Sequence, residues 1–293
     1  QREPNMKPTV SAALFFPEAG VVSPYGLAIA YAENAVDNGV TLSLDTAVLD
    51  MSVEDGCITR VVTNRGVIHP KVVINAAGVF AEEIARMAQD RFYSIHPRKG
   101  TNTILDHKAS TRMNTIVSTF GTSSTKKRHT KGGGLVKTID QNTLVGPDAV
   151  ETYLKEDYST SAENIAYVFE RQSATDPALS MRDAITYFSG VRAATFEEDF
   201  VIRKGKWTKN LVHAAGIQSP GLTAAPAIAQ DVSRMAVEIL SRERAVERNA
   251  SFQPNHKAIT RVNELDDESR DALIRENPDY GEIVCRCEQI SRG

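Results

Sequence analysis

Residues 216–223, which read Gly-Ile-Gln-Ser-Pro-Gly-Leu-Thr, are the first segment whose residue types could bind a ligand. They follow a strand predicted over 207–215 and open a helix predicted over 224–248. The first backbone N–H groups of a helix lack intrahelical partners and, with the helix dipole, stabilise negative charge. A reduced flavin carries such charge along its N1–C2=O edge and could bind there. The alternative is an ordinary helix start, with Ser219 as the cap and Pro220 at the first position.

A second predicted strand end also consists of small residues. The apolar strand predicted over 71–75 ends in Ala76-Ala77-Gly78. Side chains this small let a bulky cofactor lie directly against the backbone. The alternative is that they only permit close packing between the strand and a helix predicted over 79–89.

Arg192 is the third candidate, in the segment Phe188-Ser189-Gly190-Val191-Arg192. We predict that it lies at a strand end beside small residues. There its guanidinium could bind a carboxylate or a phosphate with two parallel hydrogen bonds. The alternative is a surface arginine, since most arginines are exposed.

Cys285 and Cys287 form a C-x-C pair that suits metal or iron–sulfur ligation in a reducing compartment. Two thiolates do not complete a set of four ligands, so we expect further ligands outside these 293 residues. For the chain as it stands, two unliganded thiols are the favoured interpretation.

Composition narrows the class of protein. The 37 acidic and 34 basic residues give a formal net charge of −3, which argues against a protein that mainly binds a nucleic-acid backbone. Hydrophobic residues make up 41%, enough for sizeable cores. No apolar run approaches the roughly 20 residues of a membrane-spanning helix. Three cysteines argue against a disulfide-stabilised secreted domain and favour a cytoplasmic location.

The first ninety residues have the pattern of a nucleotide-binding α/β unit. We predict a helix over 24–38 and strands over 40–49, 51–54 and 57–63, with a hairpin at Asp55-Gly56. With the strand over 71–75 and the helix over 79–89, this is the second half of such a unit, with a β-meander as its crossover. The fingerprint G-x-G-x-x-G of the first half occurs nowhere in the sequence.

The middle of the chain has a different pattern. Turn residues separate short apolar runs, which predict antiparallel strands of a second domain at 101–105, 114–120, 134–139 and 143–146. Helices are predicted over 159–172 and 175–184. Residues 249–281 read as a polar linker with a short helix near 266–275.

Together these motifs resemble FAD-dependent oxidoreductases of the D-amino-acid-oxidase superfamily, most closely the glycerol-3-phosphate dehydrogenase branch. The residues that carry the resemblance are Glu3-Pro4-Asn5, Gly20 to Leu27, Val73 to Gly78, Pro97-Arg98-Lys99-Gly100, Phe188 to Arg192 and Gly216 to Thr223. The segment 282–288 resembles the opening of a bacterioferritin-associated-ferredoxin-type 2Fe–2S domain.

The resemblance implies a fold, α/β plus antiparallel β. It consists of a partial FAD-binding domain with a β-meander (21–90 and 196–248), a substrate domain with a mixed or antiparallel sheet (1–20 and 91–195), and a linker with the start of an iron–sulfur domain (249–293). It also implies that Arg192 binds an anionic substrate and that Cys285 and Cys287 belong to an incomplete iron–sulfur ligand set. The FAD contacts that it implies are Val48, following a strand over 41–47, Ala76, Ala77, Gly78, Gly216, Gln218, Ser219, Gly221, Leu222 and Thr223.

The implied reaction is oxidation of a small anionic hydroxy compound by FAD, with glycerol 3-phosphate first and L-2-hydroxyglutarate or another 2-hydroxy acid as the alternative. Gln218 lies where aerobic-type glycerol-3-phosphate dehydrogenases have a lysine, which leans toward the anaerobic or hydroxy-acid relatives. A non-catalytic electron-transfer or binding subunit is the alternative from another class. We expect the chain to be part of a longer flavoprotein and to bind FAD weakly alone. Peripheral binding to the inner face of the membrane stays open, as does the electron acceptor.

Overall fold

The computed structural model describes residues 3–118, 133–287 and 289–293. The predicted strand over 114–120 therefore lies partly outside the described residues. Tertiary contacts divide the chain into two compact units. One contains the residues up to Leu27 and Ser43–Asn249, and the other contains Ala28–Leu42 and Ala250–Gly293.

The helices lie close to the segments that helical periodicity predicts. They are α1 Pro24–Asp37, α2 Ala81–Met87, α3 Ala162–Ser173, α4 Gly221–Leu240 and α5 Asp267–Glu276. Side-chain caps explain two of the starts, since Ser161 accepts from the N–H of Asn164 and Asp266 accepts from the N–H of Ser269. None of the described helices is long and apolar enough to cross a membrane.

Among the residues that the structure describes, the strands form four sheets. The strands are β1 Val48–Glu54, β2 Cys57–Thr63, β3 Gly66–Ile68, β4 Val73–Asn75, β5 Ile95–Leu105, β6 Gly134–Lys137, β7 Thr143–Gly146, β8 Val150–Glu151, β9 Ala184–Thr195, β10 Val201–Lys204, β11 Leu211–Ala215, β12 Ile283–Cys285 and β13 Ile290–Ser291. In the larger unit, β1, β2 and β3 form an antiparallel meander, and β10, β11 and β4 form a mixed sheet. The predicted combination of α/β and antiparallel β is confirmed.

The meander matches its prediction at one end and differs at the other. Asp55 and Gly56 both have positive φ, 52° and 75°, which is the backbone that a two-residue hairpin between β1 and β2 requires. The strand predicted over 40–49 is wrong except at its last two residues, which begin β1, because residues 40–47 adopt turn and irregular structure. Their alternating apolar side chains Val40, Leu42 and Leu44 are 54–67% exposed and pair with no strand among the described residues.

The largest sheet belongs to the middle of the chain. Its order is β6-β7-β5-β8, and β9 runs antiparallel along the whole of β5, from Ile95↔Thr195 to Leu105↔Ala184. Helix α3 packs on this sheet, with Ile165, Val168 and Phe169 buried in one cluster with residues of β5, β6 and β7.

The helix predicted over 175–184 is wrong apart from a single 3-10 turn at Met181–Asp183. Asp176 precedes a proline and its carboxylate accepts a hydrogen bond from the N–H of Ala178, which makes a turn after α3. Strand β9 then begins at Ala184.

The smaller unit joins part of α1 to the C-terminal residues. His256 lies between two carboxylates of α1, with Nε2 2.9 Å from Glu33 Oε2 and Nδ1 3.1 Å from Asp37 Oδ2. The backbone oxygen of Gln253 accepts from the side chains of Asn34 and Asn38. Helix α5 and the hairpin of β12 and β13 complete the described part of this unit.

Candidate functional site

The two strand ends that the sequence singles out lie side by side. Strand β4 runs parallel to β11 in the register Val73↔Leu211, Ile74↔Val212 and Asn75↔His213. Because the strands are parallel, both carboxyl ends reach the same edge of the sheet. The segments 76–78 and 216–223 therefore start next to one another, as an open α/β site at strand ends requires.

The turn that follows β4 is held by Asn75, whose side chain is buried. Its Nδ2 donates to the backbone oxygen of Ala81 at 2.8 Å, and its Oδ1 accepts from the N–H of Ala77 at 3.3 Å. Ala76 and Gly78 are exposed, so the backbone of this turn is accessible to a ligand.

Gly216 follows the last residue of β11 in a conformation that favours glycine. Its φ is +66°, and a Cβ there would lie 2.7 Å from Cγ2 of Thr195 and 3.0 Å from the backbone oxygen of Asp199. A residue with a side chain would therefore be strained both by the positive φ and by steric overlap. The glycine lets the chain turn tightly from the strand towards the start of α4.

Helix α4 begins beside a cavity of about 420 Å³ lined by residues 217–223. The residue at the N-cap position is Pro220, and no side chain caps the helix. The alternative of Ser219 as the cap and Pro220 at the first helical position is therefore wrong. Leu222 and Thr223 are exposed in the first turn, where a helix presents amides without intrahelical acceptors.

Gln218 is the buried polar residue of this cavity. Its Nε2 donates to Glu198 Oε2 at 2.8 Å, and only 7% of the residue is exposed. Because a carboxylate only accepts hydrogen bonds, the amide nitrogen must face Glu198. The oxygen Oε1 is then the atom with which Gln218 can accept a hydrogen bond from a ligand.

Glu198 is itself held by Arg98, which is 1% exposed. Arg98 donates to both oxygens of Glu198, at 2.5 and 3.0 Å, and through Nε to Glu151 at 2.8 Å. These bonds, above all those to Glu198, raise the pKa of Arg98. Sequence reasoning missed this network; its one signal is the position of Arg98 in the segment 97–100.

The prediction that Arg192 lies at a strand end is wrong. Arg192 lies inside β9, directly opposite Arg98 of β5. Its Nη2 donates to the backbone oxygen of Asp148 at 2.9 Å. Burial lowers the pKa of Arg192, and the charge of Asp148 partly offsets this effect. Arg98 bonds to two carboxylates and also lies 3.3 Å from Nε2 of His96, whereas this bond of Arg192 goes to an uncharged carbonyl.

Asp148 lies beside Arg192 and is 3% exposed. Its Oδ1 accepts from the N–H of Thr101 at 2.6 Å, and its Oδ2 has no hydrogen-bond partner among the described residues. Burial raises the pKa of this carboxyl group, which the N–H of Thr101 and the charge of Arg192 oppose.

The remaining predicted residues lie elsewhere. Val48 begins β1 and packs on the cluster around Met51 and Ile58, without the strand over 41–47 that was expected to precede it. Cys285 ends β12 and is partly buried, whereas Cys287 is exposed. Among the described residues no group of three or more His, Cys, Asp or Glu could hold a metal ion. That Cys285 and Cys287 belong to an incomplete iron–sulfur ligand set therefore stays a prediction.

Comparison with known proteins identifies the class. The chain matches the family model for FAD-dependent oxidoreductases of the DAO type over residues 1–235. It therefore belongs to this family. The resemblance inferred from the motifs is confirmed at this level.

Two curated relatives are named for the same substrate. The chain is 32% identical to a glycerol 3-phosphate dehydrogenase of Caloramator mitchellensis, over 100% of this chain and 59% of that protein. It is 29% identical to a glycerol 3-phosphate oxidase of Mycoplasma genitalium, over 87% of this chain and 65% of that protein. The chain thus spans about three fifths of the length of these relatives.

A solved structure with bound FAD is also similar to this chain. The dithionite-reduced L-α-glycerophosphate oxidase from Mycoplasma pneumoniae, with FAD bound, superimposes with a TM-score of 0.66 at 27% identity, over 78% of this chain and 58% of that one. The residues of this chain fit such a cofactor. The bare backbone at 76–78, the tight turn at Gly216 and the uncapped start of α4 meet at one edge of the sheet.

Proposed function

We propose that this chain carries the flavin-edge and substrate-anion contacts of an FAD-dependent dehydrogenase that oxidises glycerol 3-phosphate to dihydroxyacetone phosphate. The observation that supports it most is Arg192. This guanidinium is half-buried, and its hydrogen bond goes to a neutral carbonyl instead of a carboxylate. The charge of Asp148 offsets part of the charge of Arg192, and the remaining N–H groups of Arg192 are the donors that we propose for the phosphate of a substrate.

Bound FAD would supply the acceptor for the hydride removed from the hydroxyl-bearing carbon. The chain would position it at the strand ends, with the pyrophosphate and adenosine against 76–78 and the adenine near the backbone of Val48. The start of α4 would place positive potential at the edge of the isoalloxazine where reduction adds charge. The isoalloxazine contacts would be Gly216, Gln218, Ser219, Gly221, Leu222 and Thr223.

Oxidation of a 2-hydroxy acid such as L-2-hydroxyglutarate is the second candidate. One observation favours it: the buried polar residue of the cavity is Gln218, a neutral amide, and its Nε2 is used by Glu198. The cavity thus gains no positive charge from this position. A carboxylate needs less compensating charge than a phosphate dianion, and Arg192 alone suits it through a two-bond fork.

Kinetics with an artificial dye as electron acceptor separate these candidates. The gene product that contains this sequence, loaded with FAD, is given glycerol 3-phosphate, L-2-hydroxyglutarate or glycerol. We expect turnover with glycerol 3-phosphate and none with glycerol, which lacks the anion. Turnover with L-2-hydroxyglutarate instead would support the second candidate. A bound, bleachable flavin without turnover of any substrate would contradict both, and iron without flavin would favour an electron-transfer subunit.

A further inference from the structure

Gly100, in the middle of β5, lies directly under the guanidinium of Arg192. The two strands pair Gly100 with Gly190 and, two residues away, Arg98 with Arg192. A Cβ on Gly100 would overlap Nη2 of Arg192 and would lie 2.7 Å from its Cζ and 3.2 Å from its Nη1. The guanidinium therefore occupies the space that any side chain at position 100 would need.

The guanidinium reaches the far edge of β5. Arg192 belongs to β9, whereas its acceptor, the backbone oxygen of Asp148, lies between β7 and β8, which pair with the opposite edge of β5. Asp148 is attached to that edge because its Oδ1 accepts from the N–H of Thr101 at 2.6 Å. Arg192 thus crosses the face of β5 and bonds to a residue attached to the opposite edge of that strand.

We propose that Gly100 is a positioning residue of the anion site, because its bare Cα lets Arg192 lie across β5 and bond to Asp148. The proposal rests on the function proposed for Arg192 and adds the residue that places this side chain. It assigns a role to Gly100, the glycine of the segment 97–100, which is not among the proposed flavin contacts.

The role of Gly100 differs from that of a glycine that the fold requires. The overlapping atoms belong to the far end of a flexible side chain, so an alanine is accommodated by a rotation of Arg192. At Gly134 and Gly146, in contrast, a Cβ would meet backbone oxygens at 2.5 and 2.9 Å. Alanine at position 100 should therefore displace the guanidinium and leave the fold intact.

The experiment compares Gly100→Ala with Gly190→Ala. The control is matched, because Gly190 is the cross-strand partner and a Cβ there meets no atom within 4 Å. The Nε–H resonance of Arg192, assigned by its loss in Arg192→Met, reports the side chain in the absence of any ligand. Titrations with inorganic phosphate and with glycerol 3-phosphate then report the anion site.

We expect Gly100→Ala to shift the Arg192 resonance and to lower the affinity for both anions roughly tenfold or more. This is the size expected for the loss of a charge-assisted hydrogen bond. Gly190→Ala should match the wild type, and both variants should keep its melting temperature. In the FAD-loaded gene product, Gly100→Ala should raise KM for glycerol 3-phosphate more than it lowers kcat.

An unchanged resonance together with unchanged phosphate binding in Gly100→Ala would overturn the proposal. A moved resonance in a protein whose wild type binds neither anion would support the positioning by Gly100 and contradict the function proposed for Arg192. If Gly100→Ala does not fold, the double variant Gly100→Ala/Arg192→Met tests whether the overlap with Arg192 is the cause. Recovery of folding would support the overlap, and failure of both variants would overturn it.

Discussion

His213, the middle residue of β11, is fully buried and has a different partner at each ring nitrogen. Its Nε2 lies 2.9 Å from Asp90 Oδ2, and its Nδ1 lies 3.1 Å from the hydroxyl of Tyr93. A neutral imidazole suits this site, since it donates through Nε2 and accepts through Nδ1. Asp90 also accepts from the backbone N–H groups of residues 206–208, so the pair fastens the loop before β11.

Because of His213, the free energy of unfolding should decrease as the pH is lowered. Burial lowers the pKa of His213, so the unfolded chain binds a proton more readily than the folded one. The contribution to stability is therefore complete above the unfolded pKa, about 6.5, and is lost as the pH falls below it. Urea denaturation between about pH 7.5 and 5 measures the slope.

The control isolates this residue from the carboxylates. His213→Gln should reduce the slope, whereas His69→Gln, at an exposed position of the meander, should leave it as in the wild type. Equal slopes for the wild type and His213→Gln would contradict the account of a neutral buried histidine.

At the scale of elements, the site depends on one parallel strand pair. Strands β4 and β11 are separated by more than a hundred residues, yet their register places both small-residue turns at one edge. The turns differ in how closely they are packed. A Cβ at Gly216 would meet Thr195 and Asp199, whereas a Cβ at Gly78, with φ +55°, would meet no atom within 4 Å.

Gly216→Ala should therefore cost more stability than Gly78→Ala. Both substitutions place alanine in the left-handed region, which costs about 1 kcal/mol. At position 216 the steric overlap adds to this strain, so we expect a total of about 2–4 kcal/mol. Urea denaturation of both variants tests the difference, and equal losses would show that the overlap is relieved without cost.

Local patterns predicted the elements that local interactions determine. The Asp55-Gly56 hairpin is set by two adjacent positive-φ residues, and α3 and α5 have their own caps. The strand predicted over 40–49 failed up to residue 47 because a strand also needs a neighbour, which the alternation of Val40, Leu42 and Leu44 does not reveal. The helix predicted over 175–184 failed because the turn at Asp176 competes with it.

The site, like the fold, could be predicted from the sequence only where a local pattern marks it. The strand-end residues were recognised from residue type, because small side chains at a strand end leave a pattern in one segment. The network of Arg98, Glu151, Glu198 and Gln218 leaves no such pattern beyond the position of Arg98 in the segment 97–100. Its members come from four distant segments, and only the folded sheet brings them together.

At the scale of the whole molecule, we propose that the chain carries one part of a flavin site. It spans 59% and 65% of two curated relatives, and its sequence contains no G-x-G-x-x-G fingerprint. In this proposal, the strand ends at 76–78 and 216–223 contact one side of the FAD. The first-strand phosphate loop that normally cradles the pyrophosphate is not among these 293 residues.

The isolated 293-residue chain should therefore bind FAD weakly. We expect the protein, mixed with excess FAD and dialysed, to lose the visible absorbance of the flavin. The gene product that contains the sequence, treated in parallel, is the comparison. Stoichiometric FAD retained by the 293-residue chain would contradict this prediction and would show that the strand-end contacts suffice.

The central claim is that Arg192 binds the anionic group of the substrate, and calorimetric titration of the chain with glycerol 3-phosphate tests it most directly. We compare the wild type with Arg192→Met and with Arg182→Met, a control at an exposed arginine that precedes β9. We predict that Arg192→Met weakens binding roughly tenfold to a hundredfold and that Arg182→Met leaves it unchanged. Wild-type affinity in Arg192→Met would contradict the account.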